Sequence, residues 1–119
     1  MKHLTIEGIP DFFRQHPQAK VLDVCSAHEH EGRTPAKNVH LVSWYTPDWE
    51  PNPDFIDLVS QRISRDDYLL VICRRGSRSA EAAFLLEKSG FKHVYNVLGG
   101  YDELLKSQIP QRILTMAAA

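Results

Sequence analysis

The chain has 119 residues, inside the range of about 100–150 where single domains are commonest, and is long enough to bury one hydrophobic core. Its 14 Lys and Arg against 15 Asp and Glu leave a formal charge of −1, so it carries no global electrostatic case for nucleic acid or an anionic membrane. Hydrophobic residues at 43% with 24% charged exclude a disordered chain, and two cysteines are too few for a disulfide framework. The longest apolar run, residues 68–73, is far short of a membrane span, and residues 1–6 contain no apolar signal core. One cytoplasmic domain is expected over 1–119, with its core at about 4–110 and a C-terminal tail at 111–119.

Taken in chain order, Leu4-Thr5-Ile6 reads as a short strand and 10–16 as a helix with Pro10 in its first turn. Residues 20–24 and 39–42 are rich in Val and Leu and predict two further strands. Between 43 and 53, Trp44, Tyr45 and Trp49 crowd with Pro47, Pro51 and Pro53, a density of proline that forbids a regular helix or a central strand. Residues 54–63 follow helical spacing through Phe55, Leu58, Val59 and Arg62. Tyr68-Leu69-Leu70-Val71-Ile72 is unbroken and apolar, as a strand covered on both faces of a parallel sheet must be. A helix over 79–89 ends at Gly90, a strand runs over 94–98, Gly99-Gly100 make a tight turn, and 101–107 form a last helix. Strands alternating with helices predict an α/β domain with a mostly parallel sheet.

The segment carrying chemistry is Cys73-Arg74-Arg75-Gly76-Ser77-Arg78-Ser79, between the buried strand and the Ala-rich helix. Ligands of open α/β sheets sit beyond the carboxyl ends of strands. The incoming helix directs unpaired N–H groups and its positive dipole end at the loop, and Gly76 lets successive amides converge into an anion nest. Three arginines in six residues add cations. All of this favours a thiolate, so Cys73 is expected to be a nucleophile near neutral pH.

Cys-x-x-Gly-x-Arg followed by Ser-Ala, after an apolar strand, resembles the active-site loop of single-domain rhodaneses. Val21-Leu22-Asp23-Val24 is similar to that family's leucine-aspartate-valine strand, and Glu29 falls where an acidic residue often follows it. Gly32, Pro35 and Asn38-Val39, and then Val94-Tyr95-Asn96-Val97-Leu98-Gly99-Gly100, extend the likeness to about residues 4–110. The resemblance implies a rhodanese-like three-layer α/β/α fold with a mostly parallel five-stranded sheet. It also implies sulfur transfer: Cys73 takes the outer sulfur of a donor such as thiosulfate as a persulfide and yields it to cyanide, a thiol or a protein acceptor. The amides of Arg74, Arg75, Gly76, Ser77, Arg78 and Ser79 would cradle that sulfur, Arg75 would meet the donor's sulfonate, and Arg78 would add to the anion field. No metal and no organic cofactor are called for.

The likeness departs in three places: Cys25 replaces an arginine, the Gly32–Ala36 segment is one residue short, and Leu104 stands for a tryptophan. Three other readings stay open. A phosphatase or arsenate-reductase loop needs Cys-x5-Arg, and Arg78 comes one residue too soon. Cys25 at the same sheet edge would make a redox pair with Cys73, or simply fill a gap as a buried thiol. A binding module would relay sulfur between proteins, or bind one without transfer. Cys25, His28 and His30 lack the second ligand pair of a metal site and read as part of a polar loop, and Asp23 reads as structural. Trp44, Tyr45 and Trp49 either wall the mouth of the site, where they would suit an organic thiol or a protein persulfide, or pack down onto a small core.

Overall fold

A computed structural model describes residues 1–30, 38–110 and 112–114. The expected Gly32–Ala36 segment and the tail end at 115–119 lie outside the described residues. Five strands, β1 (Lys2–Leu4), β2 (Lys20–Asp23), β3 (Val39–Leu41), β4 (Tyr68–Ile72) and β5 (His93–Val97), form one sheet in the order β1-β5-β4-β2-β3. Every pairing is parallel. The helices are α1 (Ile9–Gln15), α2 (Ala27–His30), α3 (Phe55–Ser60), α4 (Ser77–Lys88) and α5 (Gly100–Lys106).

The apolar run of β4 is explained by its two covered faces. Leu69, Val71 and Cys73 join a cluster with Phe55, Val59, Ala82 and Leu86 from α3 and α4. Leu70 and Ile72 join the opposite cluster with Phe12, Phe13 and Leu104 from α1 and α5. Each fully buried Leu, Ile or Val here contributes about 1.5–3 kcal/mol of transfer free energy, set against the entropy of ordering it.

Several expected boundaries move, each for a local reason. The first strand is Lys2–Leu4, not 4–6: Leu98 N–H donates the last ladder bond to the Leu4 carbonyl at 2.9 Å. The chain then tightens into a 3₁₀ turn over Ile6–Gly8, which drives Ile6 into the core at 1% exposure. The expected helix 54–63 is regular only over Phe55–Ser60, because the Val59 carbonyl accepts from both Arg62 and Ile63 and swings Ile63 inward. In α4 the helix starts at Ser77, two residues early, after Gly76 takes φ 100°. At the C-terminus, Ile113 and Leu114 are buried and the Leu114 carbonyl accepts from Asn38 Nδ2 at 3.0 Å, so this part of the expected tail belongs to the core.

The connection β2 to β3 runs toward one edge of the sheet and β4 to β5 toward the other, with β2 and β4 side by side. Such a reversal opens a crevice at the carboxyl ends of the two central strands. Val24 N–H donates to the Ile72 carbonyl at 2.9 Å, placing the residues after β2 beside those after β4.

Candidate active site

Cys73 follows the last residue of β4, and its loop curls over the sulfur. Gly76 N–H donates to Cys73 Sγ at 3.0 Å and Ser79 N–H at 3.3 Å. Gly76 is needed for this curl. At φ 100° only glycine is unstrained, and a Cβ there would stand 3.0 Å from the Gly99 nitrogen. Both amides belong to the N-terminal end of α4, so the positive end of a twelve-residue helix faces the sulfur. The Cys73 side chain is fully buried, and the residues after it form the outer surface.

The loop is held from below by α5. Tyr101 N–H donates to the Cys73 carbonyl at 3.0 Å and Asp102 N–H to the Arg74 carbonyl at 2.9 Å, using helix-terminal amides that would otherwise lack partners. Gly99 and Gly100, expected as a simple tight turn, are instead the cap and first residue of this helix.

The three loop arginines differ in role. Arg74 and Arg75 are exposed, 63% and 81%, and each Nε stands 3.5 Å from the single Asp102 carboxylate. Two cations shared by one carboxylate leave positive charge at the surface. Arg78 forms a bidentate pair with Glu29, at 2.5 and 3.2 Å. Glu29 offsets part of the Arg78 charge that is expected to add to the anion field, and the pair ties α4 to α2. Ser26 completes the arrangement, its N–H donating to Glu29 Oε1 at 2.9 Å and its hydroxyl at 3.0 Å.

The Arg78 guanidinium beside Glu29 holds the carboxyl down to about 2 from its ordinary 4.5, against a smaller opposing effect of burial. A carboxyl lowered in the folded state adds stability that is complete above its unfolded pKa and lost as pH falls through the folded one. Urea midpoints are therefore expected to fall between about pH 5 and about pH 2, and Glu29→Gln to flatten that decline while lowering stability at neutral pH. An unchanged acid slope in Glu29→Gln would show that the pair contributes nothing to folding.

Asp23 is buried and central. Burial alone would raise its pKa, but donation from His30, the Cys25 N–H and the Tyr101 hydroxyl outweighs this and lowers it. The distances are 3.1, 2.9 and 2.7 Å. The structural role expected for Asp23 is thus a junction between the ends of β2, α2 and α5. Cys25 is equally buried, and burial and then the Asp23 carboxylate push its thiol well up from its ordinary value, which favours the gap-filling reading over a redox partner.

The polar network behind Cys73 escaped the sequence reading. Cys73 Sγ–H donates to Ser79 Oγ at 3.3 Å, and Ser79 Oγ donates to Asn96 Oδ1 at 2.5 Å. Asn96 Nδ2 reaches His3 Nδ1 at 3.2 Å. The available signal was Asn96 itself, a polar residue between Tyr95 and Val97 in a strand paired on both sides.

A cavity of about 610 Å³ opens over the loop, walled by Arg74, Arg75 and Arg78, by His28 and Glu29, and by Tyr45 and Trp49; Ser77 also faces it. The aromatic group therefore divides. Trp44 is buried edge-to-face on Phe55, with its indole N–H donating to Glu81 at 3.1 Å, whereas Tyr45 and Trp49 line the mouth. His30 faces Asp23 and His28 the cavity, and no cluster able to hold a metal ion occurs among the described residues. Among them, too, no helix is long and apolar enough to cross a membrane.

In this parallel α/β sheet a cysteine follows a central strand and its sulfur receives two backbone N–H groups. The comparisons make this specific: a family model for the rhodanese-like domain matches residues 11–107, and the chain belongs to the rhodanese-like domain family. Rhodanese-like domain-containing protein 17 of Arabidopsis thaliana is 36% identical over 96 residues, 77% of this chain and 62% of that protein. Thiosulfate sulfurtransferase 16, chloroplastic, also from Arabidopsis thaliana, is 36% identical over 77 residues, covering 65% and 64%. The chain thus spans a little under two thirds of either relative's length. The crystal structure of Rv0390 from M. tuberculosis shares the fold with a TM-score of 0.70 at 29% identity, over 84% of this chain and 79% of that one.

Proposed function

We propose that this protein transfers sulfane sulfur from thiosulfate or a persulfide through a persulfide on Cys73. The observation that carries the reading is the pair of amides, Gly76 and Ser79, aimed at Cys73 Sγ. The Cys73 thiolate attacks the outer sulfur of thiosulfate, the S–S bond of the donor breaks, and sulfite leaves with the bonding pair. Cyanide or a thiolate then attacks the outer sulfur of Cys73–S–S⁻, and the Cys73 thiolate is regenerated. Two displacements through a covalent intermediate predict ping-pong kinetics. The loop amides stabilise the negative outer sulfur as an oxyanion hole stabilises oxygen.

Arg75, exposed and sharing the Asp102 carboxylate with Arg74, is the proposed sulfonate contact. Arg75→Ala is expected to lower the rate with thiosulfate about two- to fivefold, the range of an exposed charge pair, and to spare a persulfide donor that has no sulfonate. Equal losses with both donors would make Arg75 a loop-positioning residue. Phosphoryl transfer is disfavoured because Arg78, the one arginine near the required spacing, is engaged by Glu29. Two free cysteines accord with a reducing compartment, and the cytoplasm is the proposed one.

The complete burial of Cys73 supports one second reading, a module that binds an anion over the loop without transfer. Intact mass after incubation with thiosulfate separates the two. A gain of one sulfur atom, removed by cyanide or a thiol, supports transfer. No gain with thiosulfate or with a persulfide supports the binding module.

A further inference from the structure

The cavity over the loop is far larger than an inorganic donor requires. A five-atom anion such as thiosulfate fills about 100 Å³, a few times the share of one water molecule, whereas cavities of several hundred Å³ are the size that encloses organic ligands. A second cavity of about 420 Å³ adjoins the first, and Tyr45 and Trp49 line both. Ser26 and His28 also line both, so the partition between the two spaces joins this aromatic pair to two polar side chains.

That partition is built by the backbone. Asn52 N–H donates to the Trp44 carbonyl at 2.7 Å, Thr46 N–H to the Glu50 carbonyl at 2.7 Å, and Trp49 N–H to the Thr46 carbonyl at 2.9 Å. These bonds close a hairpin whose tip holds Trp49 at φ 61°, a left-handed conformation that bulky side chains rarely adopt. The result is an indole 71% exposed at the mouth of the site, supported edge-on by the Tyr45 ring at 6.2 Å between centroids. An exposed tryptophan is unfavourable in water, and a strained backbone that keeps it there points to a ligand. Across the same cavity stand the exposed cations of Arg74 and Arg75.

We infer that Trp49 and Tyr45 form an organic-group subsite, so that the preferred sulfur donor is an organic anion, a persulfide or thiosulfonate with an aromatic or apolar group, and not inorganic thiosulfate. This rests on the sulfur-transfer reading and names its donor class. The anionic end lies toward Arg74 and Arg75, and the organic group stacks on the indole. For a thiosulfonate, the Cys73 thiolate attacks the terminal sulfur, the S–S bond breaks, and the organic sulfinate leaves with the electron pair, giving Cys73–S–S⁻.

The test compares initial rates of sulfur loading, read by intact mass, for benzenethiosulfonate and methanethiosulfonate, two monoanions that differ only in the organic group. The wild-type protein is expected to favour the benzene compound. Trp49→Ala should lower its rate about three- to tenfold, the range of one aromatic pair, while methanethiosulfonate and thiosulfate change less than twofold. Trp49→Phe should keep most of the preference. No preference for the ring in the wild type, or an equal loss with all three donors in Trp49→Ala, overturns the inference. A second arm uses unreactive benzenesulfonate and follows quenching of tryptophan fluorescence. Saturable quenching that disappears in Trp49→Ala supports the subsite even where no donor loads Cys73, in which case only the transfer reading fails. Absence of such quenching in the wild type counts against the subsite, whatever the loading.

Discussion

Cys73→Ser is expected to abolish the thiosulfate-dependent gain of one sulfur atom, whereas Cys25→Ser is expected to keep most of it. The two thiols are equally buried, so exposure does not separate them; their hydrogen-bonding surroundings do. Cys73 receives two backbone N–H groups at the positive end of α4, donors placed where the outer sulfur of a persulfide would sit. Cys25 lies against the Asp23 carboxylate in a desolvated pocket, and both effects keep it a neutral thiol. Serine conserves the shape at Cys73, and its alkoxide is not accessible at neutral pH, so the loss should be complete within detection and not merely partial. Equal loss in the two variants would mean that the cysteines act as a pair, and the redox reading would then replace the single-nucleophile one.

The second large effect is structural. A Cβ on Gly100 would lie 2.1 Å from the Cys73 carbonyl oxygen and 2.8 Å from the carbonyl carbon and oxygen of Arg74, at a backbone φ of 57°. Gly100→Ala therefore combines a left-handed conformation with a clash against backbone, which has no rotamer with which to yield. The expected cost is about 3 kcal/mol, read as a lower urea midpoint at unchanged slope. The same clash pushes α5 off the loop and strains the Tyr101 and Asp102 N–H bonds that hold the Cys73 and Arg74 carbonyls. Sulfur loading of the fraction that remains folded should fall with stability. A variant that keeps the wild-type midpoint would show that the close approach of α5 to the loop is not needed for the fold.

What was legible in the sequence follows from local physics. The unbroken apolar run of β4 demands cover on both faces, and it has that cover. The alternation of strands and helices leads to a parallel α/β sheet, and the cysteine-to-helix loop stands at the carboxyl end of a central strand, as that topology requires. Element ends were less legible: whether Ile6 continues a strand or turns inward depends on which core cavity needs an isoleucine, a demand set by distant residues.

The chain by itself determined its fold class and the place of the candidate loop, because periodicity, a strand-ending cysteine and a glycine-containing turn are properties of neighbouring residues, and its motif resemblance pointed to the family. Only the tertiary structure decided how the site's charges are distributed. Arg74, Arg75 and Arg78 look alike in sequence, but Glu29, 49 positions from Arg78, takes one of them, and Asp102 is shared by the other two. The same holds for Trp44 and Trp49, one buried against Phe55 and the other held in solvent by a hairpin. The pairing of a charge or a ring is fixed by whichever group the fold brings within a few ångströms, and Coulomb and packing forces at that range carry no memory of separation along the chain.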